Sequence, residues 1–522
     1  MTRNILRKNI IYSHIAIAIV MAFVSSIAAS AQIVRISSGL VQGHNQEGVI
    51  AFKGVPYCRF ERLELAQPAL PWDTVMVCDH YSPETMQYLG GRTVPEGSVS
   101  ETGGQYLNVW TQSLEGSHPV MVWLHGGGFD TGSAGYDGNA GYGMAKKGVV
   151  MVGVNHRLNI HGFLDLSACG EKYKYSGNAG MLDIVAALQW IHDNIRAFGG
   201  NPDNVTIFGE SGGGGKVGTL MCMPQAKGLF HKAIIQSGTI LNVNTKEITQ
   251  PLGLAVLDEL GLNCDEAEKV KKVPYDSLYA AGQRALKKQG VFRTPGSPIM
   301  YGFGPVPDGE SLLMQPFQPG FSDISSDVPL LIGTDFNELQ LMRHNYYKDE
   351  ITISQAKDIL RETFKDDTDA YVEAFLEAYP DATPQDMLGI DWLFRAKTII
   401  TADASSLEKR APVYSYLFTW RSPSQGGKAG CVHGFELPFC FNTLKYAGGM
   451  LPNPQEKDSL FADLMCESWT NFAKTGNPNV KGTPEWHPYT AENGETFVFD
   501  YAPRILRNHD RRLQEIINRY CF

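Results

Sequence analysis

Two glycine clusters, each following a run suited to a buried β-strand, restrict this chain more than any other feature. Val205-Thr206-Ile207-Phe208 runs into Gly209-Glu210-Ser211-Gly212-Gly213, and an apolar stretch continues to Met223. Met121-Val122-Trp123-Leu124 runs into His125-Gly126-Gly127-Gly128-Phe129. Glycine makes up 54 of 522 residues, above the usual ~7%. Clustering, more than the excess, is what needs a reason. Gly212 through Gly215 sit where a helix should begin, and each glycine there costs about 1 kcal/mol against alanine. The bland alternative is a glycine-rich packing turn; close approach of a substrate or another chain segment explains four in a row better.

Further strand-like runs occur at Val149–Val154, Ala233–Ile235, Pro329–Ile332, Val413–Phe418 and Thr496–Phe499. Helical patterns lie between several of them. The clearest spans Gly180–Phe198, with Met181, Val185, Leu188, Ile191, Ile195 and Phe198 at steps of three or four, and Gly199-Gly200 as its stop. Alternating strands and helices predict an α/β fold, a mostly parallel central sheet flanked by helices. Residues 32–100, with Gly39, Gly43, Gly54 and Pro56 between short apolar runs, read as a small antiparallel edge. Residues 340–410 read as helical through Gln355–Phe364 and Ala370–Ala378, inside the sheet pattern, as an inserted cap would be. Residues 32–522 are thus expected to form a single domain.

The first 31 residues have the pattern of a secretory signal peptide. Arg3, Arg7 and Lys8 precede an apolar stretch from Ile15 to Val24, and Ala29-Ser30-Ala31 supplies small residues for cleavage. An uncleaved anchor would need ~20 apolar residues, and Ser13, His14, Ser25 and Ser26 interrupt this run. The expectation is export, to the periplasm or the extracellular space, with no transmembrane segment after leader removal. The formal charge is −10, and loss of the three basic leader residues takes it to −13. Such a surface repels phosphate backbones, so no nucleic-acid partner is expected. Lys269, Lys271 and Lys272 are neighbours of Asp265, Glu266 and Glu268 and read as a solvated helix face. The nine cysteines show no C-x-x-C and no metal-ligand spacing, so neither a metal nor another cofactor is expected. An odd count leaves at least one thiol unpaired. Nothing in the chain signals an oligomeric state.

G-x-S-x-G between a strand and a helix is chemically pointed. A serine on a sharp turn holds its Oγ clear of the sheet. The helix that follows aims unpaired N–H groups and a partial positive charge at the same place. In the other cluster, the backbone N–H groups of Gly127 and Gly128 can converge with that of Gly212 on a carbonyl oxygen becoming negative. Ser211 is therefore the candidate nucleophile, and these three glycines the candidate oxyanion hole.

Longer motifs carry a resemblance to a known family. They include Phe52-Lys53-Gly54-Val55-Pro56-Tyr57, Tyr106-Leu107-Asn108-Val109-Trp110, Gly177-Asn178-Ala179-Gly180-Met181-Leu182-Asp183 and Asn194 through Pro202, followed by the Ser211 motif. Pro305 through Gly309 and Asn471 through Pro478 continue the series. In these the chain resembles the type B carboxylesterases, the cholinesterase-like branch of the α/β-hydrolase fold, over nearly its whole mature length.

The resemblance implies a serine esterase acting on a small-molecule ester through an acyl-enzyme, with an acid and then a histidine after the serine. His433, in Gly430-Cys431-Val432-His433-Gly434-Phe435-Glu436-Leu437, matches the family's H-G-x-[DE]-L. Glu338, in Gly333-Thr334-Asp335-Phe336-Asn337-Glu338, matches G-T-x-x-x-E, with Asp335 and Glu436 as rival acids. Ser237 resembles a family serine near the acid, though a plain turn explains it equally well. Glu210 reads as a buried structural or pocket carboxylate.

Two departures stand out. Gly212 replaces the family's usual alanine, and the cysteine expected within 100–108 is missing with its partner near Thr85. Segment 85–105 is therefore free to shape the entrance differently. A catalytically silent binding protein, or a hydrolase of amides, thioesters or lactones, is the alternative.

Overall fold

The computed structural model describes residues 32–88, 97–290, 302–317, 322–341, 350–407 and 410–521. The expected leader, 1–31, lies outside them. So do 89–96 of segment 85–105, and 342–349 and 408–409 of the expected helical insertion. Among the described residues, eleven strands join in one sheet. In chain order they are β1 (His44–Gln46), β2 (Val49–Pro56), β3 (Tyr106–Thr111), β4 (His118–Leu124), β5 (Val150–Val154) and β6 (Gly200–Glu210). Then follow β7 (Lys232–Gln236), β8 (Leu330–Asp335), β9 (Val413–Phe418), β10 (Glu495–Phe499) and β11 (Arg504–Arg507). Their spatial order is 1-2-3-5-4-6-7-8-9-10-11. From β5 across to β10 the neighbours run parallel, while β1, β2, β3 and β11 add antiparallel edges.

The pattern that built this sheet is period two with both faces apolar. In β4, Met121 and Trp123 enter one core while Val120, Val122 and Leu124 enter the other. In β6, Phe208 joins the first and Val205 and Ile207 the second. Helix α1 (Ala179–Asn194) covers the second core with Met181, Ile184, Leu188 and Ile191, and Gly199 ends the helical stretch in the left-handed region at φ 76°. The N-terminal edge differs in one respect from expectation. Ile33–Ile36 and Gly39–Gln42 form an antiparallel pair, but Val75–Val77 joins Gly39–Gln42 in parallel. The chain reaches that strand after a long excursion rather than a tight turn, which permits parallel pairing.

Helix α2 (Gly212–Leu220) follows β6 directly. Between β8 and β9 lie α3 (Ile353–Phe364), α4 (Thr368–Ala378), α5 (Pro384–Gly389) and α6 (Arg395–Ser405). Helix α6 packs on β8 and β9, so this insertion also covers the sheet. A buried ion pair, Arg395 Nε to Asp510 Oδ2 at 2.9 Å, ties α6 to the C-terminal segment.

Cys169 and Cys264 form a disulfide, and the other seven cysteines are free thiols. It closes a loop spanning a sequence separation of 95, which restricts the unfolded chain. Cys169→Ser is expected to lower unfolding free energy by roughly 2–4 kcal/mol. Non-reducing peptide mapping should show the 169–264 cross-link; an unchanged midpoint with both thiols alkylatable in the native protein would contradict it.

Candidate active site

The last residue of β6, Glu210, pairs with Gln236 at the end of β7, and the turn begins there. Ser211 sits at φ 57°, ψ −125°, a conformation costly for a residue with a Cβ. Two backbone bonds hold it: its N–H donates to the Gln236 carbonyl at 2.8 Å, and its carbonyl accepts from the Gly215 N–H at 3.1 Å. Gly212 and Gly213 are required by close approach. A Cβ on Gly212 would lie 2.3 Å from the Gly128 nitrogen, and one on Gly213 would lie 2.0 Å from the Leu124 carbonyl oxygen. The first turn of α2 therefore lies backbone-to-backbone against the second glycine cluster. Gly127 is exposed and Gly128 buried.

Three further features converge on this turn. His433 Nδ1 is hydrogen bonded to Glu338 Oε2, and His433 Nε2 lies 3.1 Å from Glu210 Oε1. A Cβ on Gly126 would meet Glu210 Oε2 at 2.9 Å and Ser211 Cβ at 3.4 Å. Phe394, just before α6, stacks on the imidazole with centroids 5.4 Å apart and planes 7° apart. Asp391 fixes Phe394 by accepting the backbone N–H groups of Leu393 at 2.6 Å and Phe394 at 3.0 Å.

Of the three acids weighed from the sequence, Glu338 carries the bond to the imidazole. Asp335 instead accepts the Phe435 N–H at 3.1 Å, and Glu436 accepts from the Gln236 amide at 3.3 Å. Ser237 Oγ accepts the Asp335 N–H at 3.2 Å, and the same N–H donates to Glu338 Oε1 at 2.9 Å. Ser237 and Glu338 share the positive φ of Ser211, at 44° and 46°. The three residues thus lie one to three positions past the ends of three successive parallel strands, β6, β7 and β8, in strained conformations. Of the other histidines that follow Ser211 in the chain, His487 is exposed, His231 and His509 are half-buried, and His344 lies outside the described residues.

The model of the carboxylesterase family matches residues 30–515. The chain belongs to the carboxylesterase family. The para-nitrobenzyl esterase of Bacillus subtilis is 33% identical over 489 residues, 90% of this chain and 95% of that protein. Human cocaine esterase is 31% identical, over 87% of this chain and 84% of its own length. Among solved structures, a Clostridium hathewayi esterase described as hydrolysing aliphatic aromatic polyesters superposes with a TM-score of 0.82 at 35% identity, covering 94% of this chain and 98% of that one. A carboxylesterase from Geobacillus stearothermophilus gives 0.76 at 32% identity, with 93% and 99% coverage. The chain is thus a carboxylic-ester hydrolase of the α/β-hydrolase fold. Among its described residues no helix is long and apolar enough to cross a membrane.

Within this carboxylesterase the charges around His433 are crowded. Burial disfavours ionisation of Glu210 and lifts it to about 8. Burial also disfavours a charged imidazole, but Glu210 and Glu338 override it and raise His433 to about 10. Asp335 is raised by burial and by the negative charge of Glu436.

Sequence reasoning missed the Glu210–imidazole contact, the Phe394 stack and Lys216, a buried lysine on α2. A lysine inside an otherwise apolar, glycine-rich helix start was the available signal for the last. The electrostatics give a signed expectation for a base that works unprotonated. Glu210→Gln removes a carboxylate that favours the imidazolium, so the imidazole titrates lower. The acid limb of the kcat/KM–pH profile should therefore move to lower pH by about 1–2 units. A limb that stays in place or moves up would contradict the coupling.

Proposed function

We propose that Ser211, His433 and Glu338 hydrolyse a small-molecule carboxylic ester through an acyl-enzyme. His433 takes the Ser211 proton as Oγ attacks the ester carbonyl, then returns it to the leaving alcohol. Glu338 fixes the imidazole tautomer through Nδ1 and stabilises the imidazolium. Backbone N–H groups of Gly127, Gly128 and Gly212 receive the oxyanion, each such donor being worth about 10²–10³ in rate. Water then repeats the sequence on the acyl-enzyme. The observation that carries this reading is the Glu338–His433 bond, reaching in from β8 and the loop after β9 to the strained Ser211 turn. The helical stretch between β8 and β9 acts as a cap in so far as Phe394 walls the imidazole.

We also infer that the enzyme works outside the cytoplasm. The leader pattern supports this, and so does the Cys169–Cys264 disulfide, a bond that persists in oxidising compartments. Fractionation of cells making the full chain should find the protein exported and shortened after Ala31; retention at full length inside the cell would refute export.

Ser211→Ala is expected to abolish hydrolysis of short-chain p-nitrophenyl esters while leaving the unfolding midpoint in place. Glu338→Gln should reduce kcat by about 10³–10⁴, as loss of the orienting acid does. Asp335→Asn should cost far less. Equal activity of Ser211→Ala and wild type would remove the nucleophile, and the reverse order of the two acid variants would reassign the acid.

A further inference from the structure

The residue that the reading above leaves unused is Lys216. It lies on α2, five positions after Ser211, and is completely buried. Its Nζ donates to the His125 carbonyl at 2.8 Å and lies 5.8 Å from the centre of the Phe129 ring. His125 and Phe129 bracket the three glycines Gly126–Gly128. One side chain therefore touches both ends of that loop while its own backbone belongs to the helix carrying the nucleophile turn.

Burying an amino group is costly, and here the hydrogen-bond partner is an uncharged carbonyl. Its interaction with Glu210 is coulombic rather than a contact pair. The other titratable groups packed around it are His125 and His156, stacked with centroids 5.2 Å apart. Burial, reinforced by Lys216, holds both imidazoles well below the ordinary histidine range. His156 Nε2 has no hydrogen-bond partner among the described residues. A lysine used only as filler would be replaced at less cost by leucine or methionine. A tether between α2 and the glycine loop gives the donor a use.

Resting on the esterase reading, we propose that Lys216 is a positioning residue: its donation to the His125 carbonyl pins the Gly126–Gly128 loop against the Ser211 turn, so that the loop N–H groups meet the oxyanion. The loop would otherwise be held on this side mainly by backbone packing. The benefit falls on the tetrahedral intermediate, where the oxygen is charged, and little on the ground-state ester.

The test compares wild type with Lys216→Met, which keeps the volume and loses the donor, and Lys216→Gln, which keeps an N–H donor without the charge. Each is assayed on a p-nitrophenyl ester and with an alkyl trifluoromethyl ketone. That ketone adds Ser211 Oγ to its carbonyl carbon, opens the C=O bond to an oxyanion and passes the serine proton to His433. Lys216→Met should lose about 10–100-fold in kcat. Its KM should stay within about twofold, and its ketone affinity should fall by the same factor as kcat/KM. Lys216→Gln should recover a large part of both.

If Lys216→Met does not fold, Lys216→Ser, too short to reach the carbonyl, takes its place with the same expectation. Unchanged kcat and ketone affinity in the donor-less variant would overturn the tether, as would a loss that Gln does not relieve. Failure of the underlying reading looks different: wild type would then show no hydrolysis that Ser211→Ala removes.

Discussion

The contact on which the site depends is backbone against backbone. The first turn of α2 approaches Gly128 so closely that a methyl group on Gly212 would sit 2.3 Å from the Gly128 nitrogen. That approach needs β4 and β6 as parallel neighbours with Leu124 opposite Gly209. The same pairing makes both strands end at one edge, where the two glycine clusters meet. The apolar cores on both faces hold this register, because a one-residue slip would exchange every side chain between them.

Around that contact the protein has buried an unusual number of acids. Glu210, Asp335, Glu338, Asp391 and Glu436 all lie within the buried shell around His433. Their roles are separated by what they touch. Glu338 and Glu210 take the two imidazole nitrogens; Asp391 caps the turn that lays Phe394 on the ring; Asp335 accepts the Phe435 N–H and Glu436 the Gln236 amide. Burial and the neighbouring carboxylates push both Asp335 and Glu436 above the ordinary carboxylate range. The imidazole is held between the Glu338 and Glu210 carboxyls, and Lys216 is a buried basic group within coulombic reach of Glu210.

Local signals made much of this legible in the sequence. The strands at Met121–Leu124, Val205–Phe208 and Val413–Phe418 were visible because their apolar character is continuous, and the Ser211 turn because strand, glycine and helix are adjacent. His433 and Glu338 were legible through motifs, yet choosing Glu338 over Asp335 required knowing which carboxyl reaches Nδ1. What stayed hidden depends on distant segments meeting. The Cys169–Cys264 bond, the Phe394 stack and the Lys216–His125 tether join positions between 39 and 95 residues apart. No periodicity encodes such pairs. Gly212 was readable as a departure, but not that the Gly128 backbone occupies the space an alanine methyl would take.

The central claim is that one serine, raised on the β6 turn and activated by the His433–Glu338 pair, performs the chemistry. It is tested most directly by reacting the purified protein with a fluorophosphonate and mapping the adduct by mass spectrometry. One phosphonyl group on Ser211, with hydrolysis lost in proportion and labelling strongly slowed in His433→Ala, is the predicted result. Label on another residue, or full ester hydrolysis by protein whose Ser211 is quantitatively modified, would contradict it.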